Sequence, residues 1–226
     1  MSLKSMLASE YRFIRFKLGQ RVRRFAVSGT PGFGSPLAVA FFADRLRSAR
    51  RFLEYGCGGS TMCAASIGIP FHCVESDSWF LGRVKQAIHK VGMGSPSHQI
   101  FEHRSIGRTE RWGFPHCVLP PTPNRLRRFA RYSDPPDHDT AEELPDVILV
   151  DGRFRLACAL KVIRWLDGTT YTLVVDDYAS RPEYHVLSQF AVLESMYGDT
   201  AVFSPLRGVN LRSIATAIRA CETDPR

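Results

Sequence analysis

Three groups of residues in this 226-residue chain have types and spacings that could do chemistry. The first is Glu54-Tyr55-Gly56-Cys57-Gly58-Gly59-Ser60-Thr61, where a short apolar stretch runs into glycines and then hydroxyl residues. A Gly-rich turn between a strand and a helix lets a ligand approach the backbone with no Cβ in the way. Glu75 follows 21 residues after Glu54, at the end of the next apolar stretch, where a carboxylate can accept hydrogen bonds from ribose hydroxyls. The second group is Asp151, Asp176 and Asp177, which end two further apolar stretches. The third is Arg153 and Arg155, whose guanidinium groups suit bidentate capture of a carboxylate or phosphate.

The first group narrows the ligand. A nicotinamide fingerprint places glycine where Thr61 stands, and a P-loop needs a Gly-Lys-Ser/Thr sequence that is absent. Glu54 precedes the first glycine by two. A carboxylate there would repel a pyrophosphate but suits a ligand carrying a sulfonium and an ammonium group. S-adenosylmethionine is therefore favoured over NAD. At these residues the chain resembles a known family: Glu54 to Thr61 looks like motif I of the class I S-adenosylmethionine-dependent methyltransferases, and Val74-Glu75-Ser76-Asp77 resembles their second motif. The set is similar to bacterial methyltransferase-like proteins of unassigned substrate, and more distantly to sugar and small-molecule O-methyltransferases, over about residues 48–205. The resemblance implies that Glu54, Gly56, Gly58, Gly59 and Ser60 line the methionine end of the cofactor and Glu75 its ribose. It also implies that Ser105, Ile106 and Gly107 lie near adenine, although Arg104 and Ser105 stand where such families often place an acid.

For the reaction site three readings stay open. Clustered carboxylates repel one another and are usually held by a hard cation or share a proton. Asp151, Asp176 and Asp177 could bind a divalent metal, as a comparable Asp…Asp-Asn set does in the catechol-type O-methyltransferases; here Asp177 replaces the amide. Alternatively Asp151 or Asp176 acts as general base on a substrate hydroxyl, or the acids are structural. Arg153 and Arg155 either hold an acidic substrate or pair with those acids. Trp112-Gly113-Phe114-Pro115 is either an apolar wall of the substrate pocket, with Trp112 on the substrate, or a rigid aromatic turn. His103, His116 and His185 have no special claim as bases.

Apolar stretches alternating with helical segments must position these groups. Strands are expected at 51–55, 70–74, 98–103, 146–150, 171–175 and 200–204. Helices are expected at 5–27, 35–47, 60–67 with Ser60 as cap, 78–91, 156–166, 182–197 and 210–221. Such alternation means βαβ units. The expected fold is α/β, a Rossmann-like doubly wound, mostly parallel sheet of six or seven strands with helices on both faces. One domain spans 1–226, with an N-terminal helical extension at 1–47 and an insertion or lid at 107–145. In the first helix Leu7, Tyr11, Ile14, Leu18, Val22 and Phe25 share one face, expected to pack on the core or a second subunit; peripheral membrane contact is the alternative.

The composition is that of a globular protein: 44% hydrophobic and 23% charged. The net charge of +8 could attract nucleic acid, anionic lipid or an acidic small molecule. The basic residues Arg125, Arg127, Arg128 and Arg131 lack an RNA motif and run into the acidic stretch from Asp134 to Glu143, which disfavours nucleic acid. The six cysteines have no metal spacing and read as free thiols. With neither an apolar leader nor an apolar span, a cytoplasmic location is expected. The expected activity is methyl transfer from S-adenosylmethionine to a hydroxyl of a small or carbohydrate-like acceptor. The alternatives are a nucleotide-binding protein without transferase activity and an RNA methyltransferase.

Overall fold

The computed structural model describes residues 3–22, 27–95, 97–137 and 144–226. Two helices come first, α1 (Leu3–Val22) and α2 (Pro36–Arg47), and then β1 (Phe52–Tyr55), α3 (Gly59–Ile67), β2 (Phe71–Glu75), α4 (Ser78–Lys90) and β3 (Gln99–His103). α5 (Pro123–Tyr132), β4 (Val147–Val150), α6 (Arg155–Trp165), β5 (Thr172–Val175), β6 (Ala191–Tyr197), β7 (Thr200–Pro205) and α7 (Leu211–Cys221) follow. The sheet has seven strands in the order β3-β2-β1-β4-β5-β7-β6. β1 to β5 pair in parallel, and β7 runs antiparallel to both neighbours.

Successive strand side chains point to opposite faces, and both faces are covered. Tyr55, Ile148, Val150, Leu173, Val175 and Phe203 pack with α5, α6 and α7 on one face. Phe52, Val147, Leu149, Val174 and Val202 pack with α2, α3 and α4 on the other. This alternation places Glu54 on the same face as Phe52, beside the start of α3. Because β1, β2, β4 and β5 run parallel, their carboxyl ends lie at one rim.

Two expected elements differ. Residues 182–197 are not one helix: a 3₁₀ segment (Pro182–Gln189) leads into strand β6. The run Leu193-Glu194-Ser195-Met196 has fair helix propensity, but pairing with β7 overrides it. The turn between them carries Gly198 at φ +67°, a left-handed position that suits a tight hairpin. β6 is one edge of the sheet, with a register shift between Leu193 and Ser195; β3 is the other edge.

The second difference is α1. Leu7, Tyr11, Ile14 and Leu18 face outward, at 51–61% exposure, and do not pack on the core. Its other face docks instead. Lys17 pairs with Asp77 at 2.8 Å, Arg108 with Glu10 at 2.8 Å, and the Phe13 ring stacks on His116 at 4.5 Å. Charged and aromatic partners thus outcompete the aliphatic stripe for the inner face. Arg23, Arg24 and Phe25 lie outside the described residues, as do residues 138–143 of the acidic stretch.

Within residues 107–137 the chain folds back at an isolated bridge between Thr109 and Pro115 and then forms α5. Phe129 and Tyr132 of α5 are buried against Phe154, with ring centroids 5.1 and 5.5 Å apart. The buried Lys161 ties α5 to α6 and α7: its Nζ reaches Ala130 O and Asp134 at 2.8 Å and Glu222 at 3.2 Å. All six cysteines are free; Cys57, Cys73, Cys158 and Cys221 are buried as thiols in apolar stretches are expected to be, whereas Cys63 is half-buried and Cys117 exposed. No helix among the described residues is long and apolar enough to cross a membrane.

Candidate functional site

The β1–α3 turn is shaped by what it must avoid. Gly56 has φ +96° and donates its N–H to Val74 O at 2.8 Å. A Cβ on it would stand 2.6 Å from Gly152 Cα, so the turns after β1 and β4 touch backbone to backbone. A Cβ on Gly59 would meet Thr30 O at 1.9 Å. Gly58, by contrast, is extended and has nothing within 4 Å of its Cβ position, so its face is open to a ligand.

Glu54 is fully buried, and the hydroxyls of Ser60 and Thr61 bond its two oxygens, Thr61 at 2.6 Å. Ser60 is thus inside α3 and not its cap; Gly58 occupies the cap position and gives its N–H to Thr61 Oγ1 at 2.8 Å. Thr61 is the residue that sequence reasoning missed; a Thr three places after a helix-opening residue is the capping-box signal that could have found it. Burial pushes the Glu54 carboxyl up to about 8, against the bonds from Ser60 and Thr61 that lower it. Glu54 therefore braces the turn from beneath through these two hydroxyls. Between the ordinary 4.5 and about 8 the folded chain keeps a proton that the unfolded chain has released, so stability falls as pH rises through that window. Glu54→Gln removes this titration. Urea midpoints at pH 5, 6.5 and 8 should give the variant a shallower fall than the parent, by at most about 1.4 kcal/mol per pH unit. Parallel profiles would mean that Glu54 stays ionised.

Glu75 is buried at the end of β2. Its Oε2 accepts Cys57 N–H at 3.2 Å, and its Oε1 accepts the N–H groups of Ser76 and Asp77 at 2.6 and 2.8 Å. Burial still raises its carboxyl, against those donors. Beside it a cleft of about 320 Å³ opens, lined by Ser76, Asp77, His103, Ser105, Gly107 and the inner side of α1. That volume is within the range of small-molecule pockets, about 300–1,000 Å³. The 109–115 fold-back lies over this rim: a Cβ on Gly113 would be 3.0 Å from Ser76 Oγ and 3.9 Å from Glu75 Oε1.

The carboxylate cluster has its own cation. Arg155, 6% exposed in its side chain, reaches Asp151 at 3.0 Å, Asp177 at 2.9 Å and Asp176 at 3.5 Å. Arg181 also holds Asp177, at 2.7 Å, and Thr200 donates to Asp176 at 2.8 Å. The guanidinium fills the centre that a metal would need, and the described residues contain no group of His, Cys, Asp and Glu arranged to hold an ion. Asp151, Asp176 and Asp177 thus do not fit a metal centre. Burial raises Asp151 to about 7; Arg155 opposes this, while Asp176 and Asp177 add to it. The side chain remains 31% exposed at the rim, which leaves it reachable.

The other expected residues are only partly brought together. Ser105 and Gly107 line the cleft, but the Ile106 side chain is fully buried in the core and only its backbone runs past. Trp112 is 74% exposed at the tip of the fold-back; Phe114, 37% exposed, is the ring that meets Arg153, its centroid 4.1 Å from the guanidinium carbon. His116 is held between Glu110 and Glu10, His103 Nε2 is 3.2 Å from Ser76 O, and His185 packs on Tyr178. Arg125 is spent on the carbonyls of Ile106 and Arg108, at 3.2 Å each.

Among solved structures, a methyltransferase-like protein from Silicibacter pomeroyi matches with a TM-score of 0.69 and 28% identity, over 88% of this chain and 100% of that one. An O-methyltransferase from Bacillus cereus in complex with SAH (S-adenosylhomocysteine) matches with a TM-score of 0.45 and 12% identity, over 88% and 91%. An SAH-bound methyltransferase from Podospora anserina matches with a TM-score of 0.42 and 14% identity, over 93% and 74%. No family model and no curated protein matches the chain.

Proposed function

We propose, on the premise that this chain is a class I methyltransferase-like protein, that it binds S-adenosylmethionine across the ends of β1, β2 and β3 and methylates a hydroxyl of a small acceptor. The observation that carries this reading is the bond from Cys57 N–H to Glu75 Oε2. It ties the acid at the end of β2 to the open glycine turn after β1, so one rim offers both ribose recognition and a surface free of side chains.

When bound, S-adenosylmethionine supplies an electrophilic methyl group on a sulfonium. The chain's own residues do the rest by positioning and proton removal. Gly58 leaves room for the cofactor's amino-acid end, Glu75 takes the ribose hydroxyls, and Ser105 and Gly107 flank the base. Gly113 must lift from Glu75 to admit the sugar. Asp151, held near neutrality by burial, accepts the acceptor's hydroxyl proton, and Arg155 fixes its carboxylate in place.

Calorimetric titration tests the cofactor, with S-adenosylmethionine and SAH as ligands and NAD as control. Micromolar binding of the first two and none of NAD is expected. Glu75→Ala should weaken SAH about 10- to 100-fold, the cost of hydrogen bonds to a charged group at about 1.5–3 kcal/mol. Glu75→Gln, which keeps an acceptor, should lose less. Unchanged affinity in a folded Glu75→Ala protein would remove the residue from the site. Tight SAH binding without turnover across hydroxylated acceptors would favour a ligand-binding protein over an enzyme.

A further inference from the structure

Six charged groups crowd the ends of β4 and β5: Asp151, Asp176 and Asp177 against Arg153, Arg155 and Arg181. The acids are all taken. Arg155 bridges the three of them, and Arg181 adds a bond to Asp177 and another to Tyr184 Oη at 3.0 Å. Arg153 is left over. It is 6% exposed, and its Nε and Nη1 are buried with no hydrogen-bond partner; Arg155 Nη1 also lacks one but has Asp177 at 2.9 Å, whereas no carboxylate lies within ion-pair distance of Arg153 among the described residues. Burial and the neighbouring Arg155 and Arg181 push its pKa down.

A buried guanidinium with open donors is costly, and such a group in a native fold calls for a partner. The local backbone shows why it is held there. Phe154 is left-handed at φ +55° and fully buried against Phe129 and Tyr132. That residue turns the chain sharply between Arg153 and Arg155, so one arginine goes to the acids and the other to the opposite side, under the fold-back. There the centroid of the Phe114 ring is 4.1 Å from the guanidinium carbon, and the Cβ position of Gly113 is 3.7 Å from Arg153 Cγ. The same Gly113 covers Ser76 and Glu75. Arg153 and Glu75 therefore lie under the same fold-back, with Asp151 two residues before Arg153 in the chain.

We propose that Arg153 is the receptor for an anionic group, a carboxylate or phosphate, on the acceptor, which it holds by bidentate hydrogen bonds once the 109–115 fold-back lifts. The inference deepens the transferase reading and rests on it for the word acceptor; the anion site stands on Arg153 alone. The class of substrate is then a hydroxylated small molecule carrying an acid, with the acid on Arg153 and the hydroxyl toward Asp151.

The test uses the full chain, Arg153→Gln and Arg153→Lys, with inorganic phosphate and benzoate as probes and SAH and methylthioadenosine as cofactor controls. Calorimetry should give millimolar binding of at least one anion to the parent, at least tenfold weaker binding to Arg153→Gln, and partial retention of phosphate by Arg153→Lys. SAH affinity should be unchanged in Arg153→Gln, and its melting temperature equal to or above the parent's, since an unpaired buried charge is removed. Failure of both anions to bind the parent, or equal binding by Arg153→Gln, overturns the proposal. Selective loss of SAH but not of methylthioadenosine in Arg153→Gln also overturns it, by giving the arginine to the cofactor's own carboxylate. Anion binding at Arg153 with no SAH binding in the parent would sustain the anion site and defeat the cofactor reading instead.

Discussion

Arg155→Gln is expected to lose about 3–5 kcal/mol of stability at pH 8, the range for removing one partner of a buried ionic cluster. The side chain is 6% exposed and lies within ion-pair distance of Asp151, Asp176 and Asp177, with Nε also donating to Gly152 O at 3.0 Å. Arg181 still serves Asp177 in the variant, but Asp151 and Asp176 lose their only cation among the described residues. Asp151 already sits near 7 with Arg155 present, so without it the carboxyl must rise further. A raised acid costs stability above its unfolded value and returns it on protonation. The gap between parent and variant should therefore narrow as pH falls from 8 to 5, which urea denaturation at both values would measure. A loss below about 1 kcal/mol, or a gap that widens in acid, would mean that the cluster is already neutral in the native chain.

Two glycines in one turn should fail for opposite reasons. Gly56→Ala meets a left-handed φ of +96° and backbone atoms of Gly152 at 2.6 Å. Neither relaxes cheaply, because the space around Gly152 is also filled: a Cβ on it would stand 2.7 Å from Tyr132 Oη and 2.9 Å from Gly56 N and Tyr55 O. Strain of about 1–3 kcal/mol comes from the dihedral, and the displaced loops add to it, so a loss of about 3 kcal/mol or more is expected. Gly58→Ala meets nothing within 4 Å and an extended backbone. It should melt close to the parent yet bind SAH at least tenfold more weakly, since its methyl would stand where the ligand approaches. Calorimetric melting together with SAH titration separates the two. A Gly58→Ala protein that binds SAH like the parent would move the cofactor off this turn.

The sheet was legible because its central strands are short apolar stretches bounded by turn residues, and their burial on both faces leaves little else for them to be. The glycine turn and Glu75 were legible for the same reason, since strand ends fix where a following residue must sit. What was illegible depends on side-chain direction. Nothing in the order of residues says that Phe154 would go left-handed and give Arg153 and Arg155 different partners, or that Ile106 would turn into the core and Phe114, not Trp112, meet Arg153. The residues at 191–197 suit a helix or a strand alike, and only the availability of β7 decides. The outward stripe of α1 escaped for a related reason: periodicity identifies an apolar face but not whether a polar face finds better partners.

The two ends of the sheet carry a consequence for how the chain behaves at high concentration. An open strand is a template for other chains, and Val192, Leu193 and Met196 on β6 are each about 40% exposed. The register shift between Leu193 and Ser195 interrupts the ladder in the middle of that strand, and Glu194 there bonds Ser204 on the neighbouring strand. At the far end β3 carries Glu102, tied to His72 at 2.7 Å and Arg104 at 2.6 Å. A second copy adding its strand would have to match a broken register at one end and desolvate an ion pair at the other. Both ends are thus protected against fibre-like growth, and straightening the bulge would remove the protection at β6 while leaving the rim at β1 and β2 untouched.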